Sequence, residues 1–163
     1  MYKPFDQMPS DARIWTYTST RKFDNKELEI ISSRLSKFCE QWNTHGALMP
    51  TSYDIRFDQV IILAVDESQL GASGCSIDSS VRLLREIETE MNIDLLNQGK
   101  VSFLNEANNL EVNPILGIKS KVTTGILHAE TIVLNPVIQR KSDLEKNWKI
   151  SAKESWLNKF FEN

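Results

Sequence analysis

The feature that most constrains the fold is an unbroken apolar run at residues 60–65, with the sequence VIILAV. A strand that is exposed on one face alternates apolar and polar residues, whereas a strand covered on both faces does not. A run this short between turn residues suits a strand better than a helix. It therefore predicts a central strand that the other elements must cover.

Two longer segments have the three-to-four-residue apolar spacing of helices. The first begins with a capping-box pattern, Asp24 followed by Glu27. Its apolar positions are Leu28, Ile31, Leu35, Phe38 and Trp42. Those of the second are Ile77, Val81, Leu84, Ile87 and Met91. His45 and Gly46 follow the first helix, and Gly46 is predicted to cap its C-terminus in the left-handed conformation.

Strand-like segments at residues 12–19, 52–57 and 101–104 complete the order β-α-β-β-α-β over residues 12–104. This order predicts an α+β protein with a ferredoxin-like split core. We expect its first and third strands to be central, adjacent and parallel, with both helices on one face of the sheet.

Residues 105–163 are predicted to form a C-terminal extension that packs on the core, so that residues 1–163 make one domain. A short helix is predicted at residues 114–122 and a strand at residues 131–134. Ser151 and Glu154 form a second capping-box pattern, which predicts a final helix. The apolar face of that helix packs either on its own domain or on a second copy, which leaves a homodimer possible.

Composition excludes several classes of protein. The chain has 163 residues and a net charge of −3, which argues against a nucleic-acid partner. No apolar run approaches the length of a membrane span, and no signal peptide is visible, so a soluble cytoplasmic protein is expected.

The only cysteines of the chain are Cys39, predicted to lie in the core, and Cys75. With two histidines and no C-x-x-C, neither a metal nor a cofactor is expected.

The most informative loop is GASGCSIDSS at residues 71–80, which joins the apolar strand to the second helix. Cys75 is predicted to lie in the first turn of that helix, where the helix dipole favours a thiolate. We expect the loop TSTRKF to lie beside it, so that Arg21 and Lys22 reach the thiol or a bound anion.

The other ligand-binding candidates at this edge of the sheet are Asp66, Ser73, Ser76 and Asp78. A purely structural interpretation stands beside the functional one. In that interpretation a serine or Asp78 caps the helix, and Cys75 is a small buried residue without chemistry.

Three stretches, LAVDESQLGASGCSIDSSV, FCEQWNTHG and AKESWL, resemble a family of small Bacteroidetes proteins that are often labelled "ABC transporter ATPase". The resemblance covers nearly the whole chain and implies a lineage without a mechanism. An ABC ATPase requires the phosphate-binding loop G-x-x-x-x-G-K-[ST], and the sequence has none. GASGCS lacks its lysine, so we reject the ATPase function.

Two classes of function remain. The first, which we favour, is a non-enzymatic binding or regulatory module for a small molecule or a protein, because no complete catalytic set is apparent. The second is a thiol-dependent enzyme, redox or nucleophilic, that uses Cys75 as its catalytic residue. Such an enzyme usually needs a histidine as base. We expect His45 at the opposite end of the sheet from Cys75, and His128 in the irregular C-terminal segment, so neither is an obvious partner.

Overall fold

The computed structural model describes residues 1–162 and combines helices with β-sheets, which confirms the predicted α+β class. Its contacts divide the chain into two compact units. The first contains Met1–Leu96 and Gln139–Ser142, and the second contains Asn97–Ile138 and the residues from Asp143 onwards. The division thus falls after Leu96 and not after residue 104. The single-domain organisation with a packed extension stays a prediction.

The first unit is built around a three-stranded antiparallel sheet with the order β1-β5-β4. A two-stranded hairpin, β2-β3, follows the first helix. The elements in chain order are β1 (Arg13–Thr18), α1 (Asn25–Gln41), β2 (Asn43–Thr44), β3 (Ala47–Leu48), β4 (Thr51–Arg56), β5 (Val60–Val65) and α2 (Gly74–Met91). All six residues of β5 are buried, so the central strand predicted from VIILAV is confirmed.

The expectation that the first and third strands are parallel is wrong. β1 and β5 are adjacent but antiparallel, with Thr18 opposite Val60. The reason lies in the connections. The crossover through α1 makes β4 parallel to β1, and the tight β4–β5 turn makes β5 antiparallel to β4. Because β5 lies between β1 and β4, it is antiparallel to both.

The outer edge of β1 is covered by the segment Gln139–Ser142. The Ile14 N–H donates to the Gln139 carbonyl at 2.9 Å, and the Lys141 N–H donates to the Ala12 carbonyl at 2.9 Å. An antiparallel bridge joins Arg13 and Arg140. This segment occupies the position that the fourth strand of a ferredoxin-like sheet would take, so that topology is not confirmed.

The core of the first unit lies between the sheet and the two helices. α1 buries Ile31, Leu35 and Cys39, and α2 buries Leu84 and Ile87 on the face that its sequence spacing predicts. The capping box at Asp24 and Glu27 is present, as predicted. The predicted core position of Cys39 is confirmed as well, because its side chain is fully buried.

The second unit has its own antiparallel sheet with the order β7-β6-β8-β9. Its elements are β6 (Lys100–Leu104), β7 (Leu110–Pro114), α3 (Ile118–Thr123), β8 (Ile132–Leu134), α4 (Asp143–Lys146) and β9 (Lys149–Ser151). The predicted fourth strand, residues 101–104, therefore forms as β6 but pairs in this sheet. The short helix and the strand predicted after it are confirmed as α3 and β8.

The predicted final helix is wrong. Two short 3-10 helices, Ala152–Glu154 and Asn158–Phe160, take its place, and the Ser151 side chain caps neither. The backbone of Ser155 is extended, with φ −99° and ψ −177°, which interrupts any continuous helix. Within residues 1–162, no helix is both long and apolar enough to cross a membrane.

Candidate functional site

The first wall of the site is the N-terminal turn of α2. Ser73 is the N-cap, and its hydroxyl oxygen accepts the Ser76 N–H at 3.1 Å. Cys75 is the second residue of the helix, so its predicted place in the first turn is confirmed. Its side chain is exposed. The structural interpretation is thus confirmed for Ser73, which caps the helix, and wrong for Cys75, which is not buried.

The second wall is the β2–β3 hairpin. Asn43 pairs with Leu48 and Thr44 with Ala47, which leaves His45 and Gly46 as a two-residue turn. Both turn residues have positive φ, +50° and +81°, as a type I′ hairpin requires. The prediction that Gly46 caps α1 is wrong, because α1 ends at Gln41 and Trp42 is its C-cap.

Hydrogen bonds fix the hairpin against the start of α2. The Trp42 indole N–H donates to the Ser76 carbonyl at 2.8 Å. The Ser76 hydroxyl donates to the Asn43 carbonyl at 2.6 Å and lies 2.8 Å from the Ser73 hydroxyl. Each of these groups holds one wall to the other or caps the helix, so their first role is architectural.

Between the two walls lies a cavity of about 370 Å³. It is lined by Phe38, Gln41, Trp42, Asn43, His45, Ser73, Cys75, Ser76 and Ser79. His45 and Cys75 therefore line the same cavity, and the expectation that they lie at opposite ends of the sheet is wrong. The error followed from the missed hairpin, which brings the chain after α1 to the N-terminus of α2.

The cavity combines an aromatic surface with a few available polar groups. The rings of Phe38 and Trp42 have centroids 4.9 Å apart and are tilted by 39°. Within the described part of the chain, the side chains of Gln41, His45 and Cys75 form no hydrogen bond with the protein. None of the lining residues is Asp, Glu, Lys or Arg. The arrangement can hold a small molecule between the Phe38 ring and groups that donate or accept hydrogen bonds.

Arg21 and Lys22 do not belong to this site. The Arg21 guanidinium donates to both carboxylate oxygens of Glu27 at 2.8 Å and to the Met91 carbonyl at 3.1 Å. Met91 is the last residue of α2, at the opposite end of the helix from Cys75. Arg21 lies at this end of α2 because the antiparallel pairing places the end of β1 beside the start of β5. The bond to Arg21 is the main reason that the pKa of Glu27 falls to about 2.

Asp66 and Asp78 also lie outside the cavity lining. Asp66 follows β5, and its carboxylate accepts the Ser68 N–H at 2.9 Å. Hydrogen bonds from the Ser68 side chain and backbone lower the pKa of that carboxyl. Asp78 is exposed on α2 and is not its cap. Of the six predicted ligand-binding residues, only Ser73 and Ser76 line the cavity together with Cys75.

His128 lies in the second unit and lines a different cavity, of about 660 Å³. Three carboxylates, Glu106, Glu111 and Glu130, line it as well. Glu130 pairs with Lys153 at 2.6 Å. Among residues 1–162, no three His, Cys, Asp or Glu side chains are grouped so that they could hold a metal ion.

The fold and the site define an α+β protein with an exposed thiol at the edge of a partly aromatic cavity that no Asp, Glu, Lys or Arg side chain lines. No family model, curated protein or solved structure matches the chain. The resemblance to Bacteroidetes proteins therefore stays a prediction.

Sequence reasoning missed His45 and Gln41 as lining residues. The signal for His45 was present in the segment NTHGAL, where a two-residue turn containing glycine reverses the chain. Gln41 had no comparable signal, because its place in the cavity follows from the end of α1 and the packing of Trp42.

Proposed function

We propose that the protein is a non-enzymatic binding or regulatory module whose ligand is a small molecule held between the β2–β3 hairpin and the first turn of α2. The observation that carries this proposal is a cavity that combines the aromatic ring of Phe38 with unengaged polar side chains. Its volume, about 370 Å³, falls within the range of about 300–1,000 Å³ typical of small-molecule sites.

Some polar groups of the cavity are hydrogen-bonded within the protein and others are not, and this difference supports the same proposal. Ser73, Ser76 and the Trp42 indole are already hydrogen-bonded within the protein, so they keep the walls in place. His45 and Gln41 have donors and acceptors to offer without losing a protein partner. A ligand would therefore bind a largely preformed site, and the free-energy cost of ordering that site would be small.

A fragment screen followed by NMR tests the proposal. We expect at least one fragment to shift the signals of the Trp42 indole and of the backbone amides of residues 43–47 and 73–76. Ser79 lines the cavity, so Ser79→Trp should fill it and abolish those shifts. Thr89→Trp is the matched control, because Thr89 is exposed near the other end of α2, and it should leave binding unchanged.

The result that contradicts the proposal is equally specific. If no fragment shifts signals at the cavity, or if the shifts persist in folded Ser79→Trp, the cavity is not a ligand site. Circular dichroism and the unfolding midpoint establish that both tryptophan variants remain folded.

A thiol-dependent enzyme is the second candidate, and one observation favours it. Cys75 is exposed and shares its cavity with His45, and a histidine is the usual base for a cysteine nucleophile. The rate of alkylation against pH tests this candidate. The enzyme is supported if the midpoint of the pH profile lies well below about 8.5, the pKa of a free thiol, and if that midpoint rises in His45→Ala. A midpoint that His45→Ala leaves unchanged contradicts it.

A further inference from the structure

We infer that the ligand of the cavity is an uncharged, planar aromatic molecule that carries both a hydrogen-bond donor and an acceptor. This inference rests on the proposed function and specifies the chemical class of the ligand. It follows from three properties of the lining residues: their charge, their aromatic surface and their free polar groups.

The lining contains no Asp, Glu, Lys or Arg side chain that would compensate an ion. Asp78 on α2 and Glu40 on α1, both exposed, are absent from the lining. A bound ion would therefore lose hydration without gaining an opposite charge, which is costly. The partial positive charge at the start of α2 favours anions, but it is a smaller effect than the loss of an ion's hydration shell. The balance favours an uncharged ligand.

The aromatic surface favours a flat ring. Phe38 is half-buried, and Trp42 is held in place by its indole hydrogen bond to Ser76. Trp42 is only 2% exposed and packs behind Phe38, so Phe38 supplies the aromatic surface that a ligand would meet. Aromatic side chains pack best against other planar rings, in offset or edge-to-face arrangements. The modest volume of about 370 Å³ limits the ligand to one or two fused rings.

The free polar groups select a ligand with a donor and an acceptor. The Gln41 amide offers two donor hydrogens and an acceptor oxygen, and a neutral imidazole at His45 offers one donor and one acceptor. A lactam or a carboxamide on the ring would complement both side chains. Gln41 and His45 are exposed, so a ligand without polar groups would displace water from them without replacing its hydrogen bonds, and it would gain less.

Three fragments that share a phenyl ring but differ in charge test the inference: neutral benzamide, anionic benzoate and cationic benzamidine. NMR titrations are done at about pH 8, where benzoate is an anion and benzamidine a cation. We expect benzamide to bind at the cavity at least tenfold more tightly than either ion. Ser79→Trp should abolish that binding, and Thr89→Trp should preserve it.

The outcomes separate this inference from the proposed function. If benzoate or benzamidine binds at the cavity as tightly as benzamide, the uncharged class is wrong, while the cavity remains a ligand site. If none of the three binds there but other fragments of the screen do, the class is again wrong and the proposed function stands. If no fragment of any kind binds there, both fail.

Discussion

Leu35→Ala is expected to lower the free energy of unfolding by about 2–5 kcal/mol, the usual cost of removing a buried leucine side chain. Leu35 is fully buried in the middle of α1 and faces the core of the first unit. The substitution removes apolar contacts and leaves a cavity that rigid neighbours fill only in part. Chemical denaturation with a fixed m-value measures the change.

Leu48→Ala is the matched control, because it makes the same chemical change at a leucine that is 57% exposed. Its effect should stay within about 0.5 kcal/mol, as for most surface positions. If the two variants lose similar stability, then α1 packs on the sheet through a different face, and the described core is wrong.

The second large effect concerns the two thiols. In the native protein, alkylation of Cys75 is expected to be at least roughly a thousandfold faster than alkylation of Cys39, because Cys39 reacts only when the core opens. Cys39 is fully buried, and burial raises the pKa of its thiol to about 12. Cys75 is exposed and needs no opening.

Mass spectrometry of the alkylated protein measures this difference directly. The native chain should gain one label, located at Cys75, and a second only in denaturant. Cys75→Ser should gain none before unfolding. Comparable rates at the two cysteines would mean either that Cys39 is accessible or that Cys75 is covered, and the account of the site would be wrong.

The elements that the sequence predicts well are those with a strong local pattern. β5 follows from its unbroken apolar run, and α1 and α2 follow from their apolar spacing and caps. The place of Cys75 follows from the same local logic, since the chain must leave β5 and enter α2 within a few residues. Whether an element is covered on one face or on both determines the spacing of its apolar residues. That spacing can therefore be recognised in the sequence without knowing which elements cover it.

The direction and partner of each strand depend on contacts far apart in the chain. The segment 101–104 reads as a strand, but nothing in its residues indicates which sheet it joins. The antiparallel register of β1 and β5 follows from the order of connections and not from either strand. For this reason, Arg21 and Lys22 were assigned to the wrong end of α2.

The hairpin at His45 was missed for a physical reason. Its strands have two residues each, too short to show alternation. Glycine with positive φ serves both a helix C-cap and a type I′ turn, so Gly46 fits either interpretation. Only the pairing of Asn43 with Leu48 distinguishes them, and that pairing brings His45 into the cavity with Cys75.

Cys75 lies beside the hairpin and away from Arg21 and Lys22. A nitroxide spin label attached to Cys75 tests this placement, because paramagnetic broadening of NMR signals falls steeply with distance. The length of α2 from Cys75 to Met91 is about 24 Å, and Arg21 binds at the far end.

We expect the label to broaden the amide signals of residues 43–47 strongly and to leave those of Arg21 and Lys22 nearly unchanged. Reduction of the nitroxide gives the reference spectrum. Strong broadening at Arg21 and Lys22, with the hairpin signals retained, would contradict the account and would place the thiol beside the TSTRKF loop.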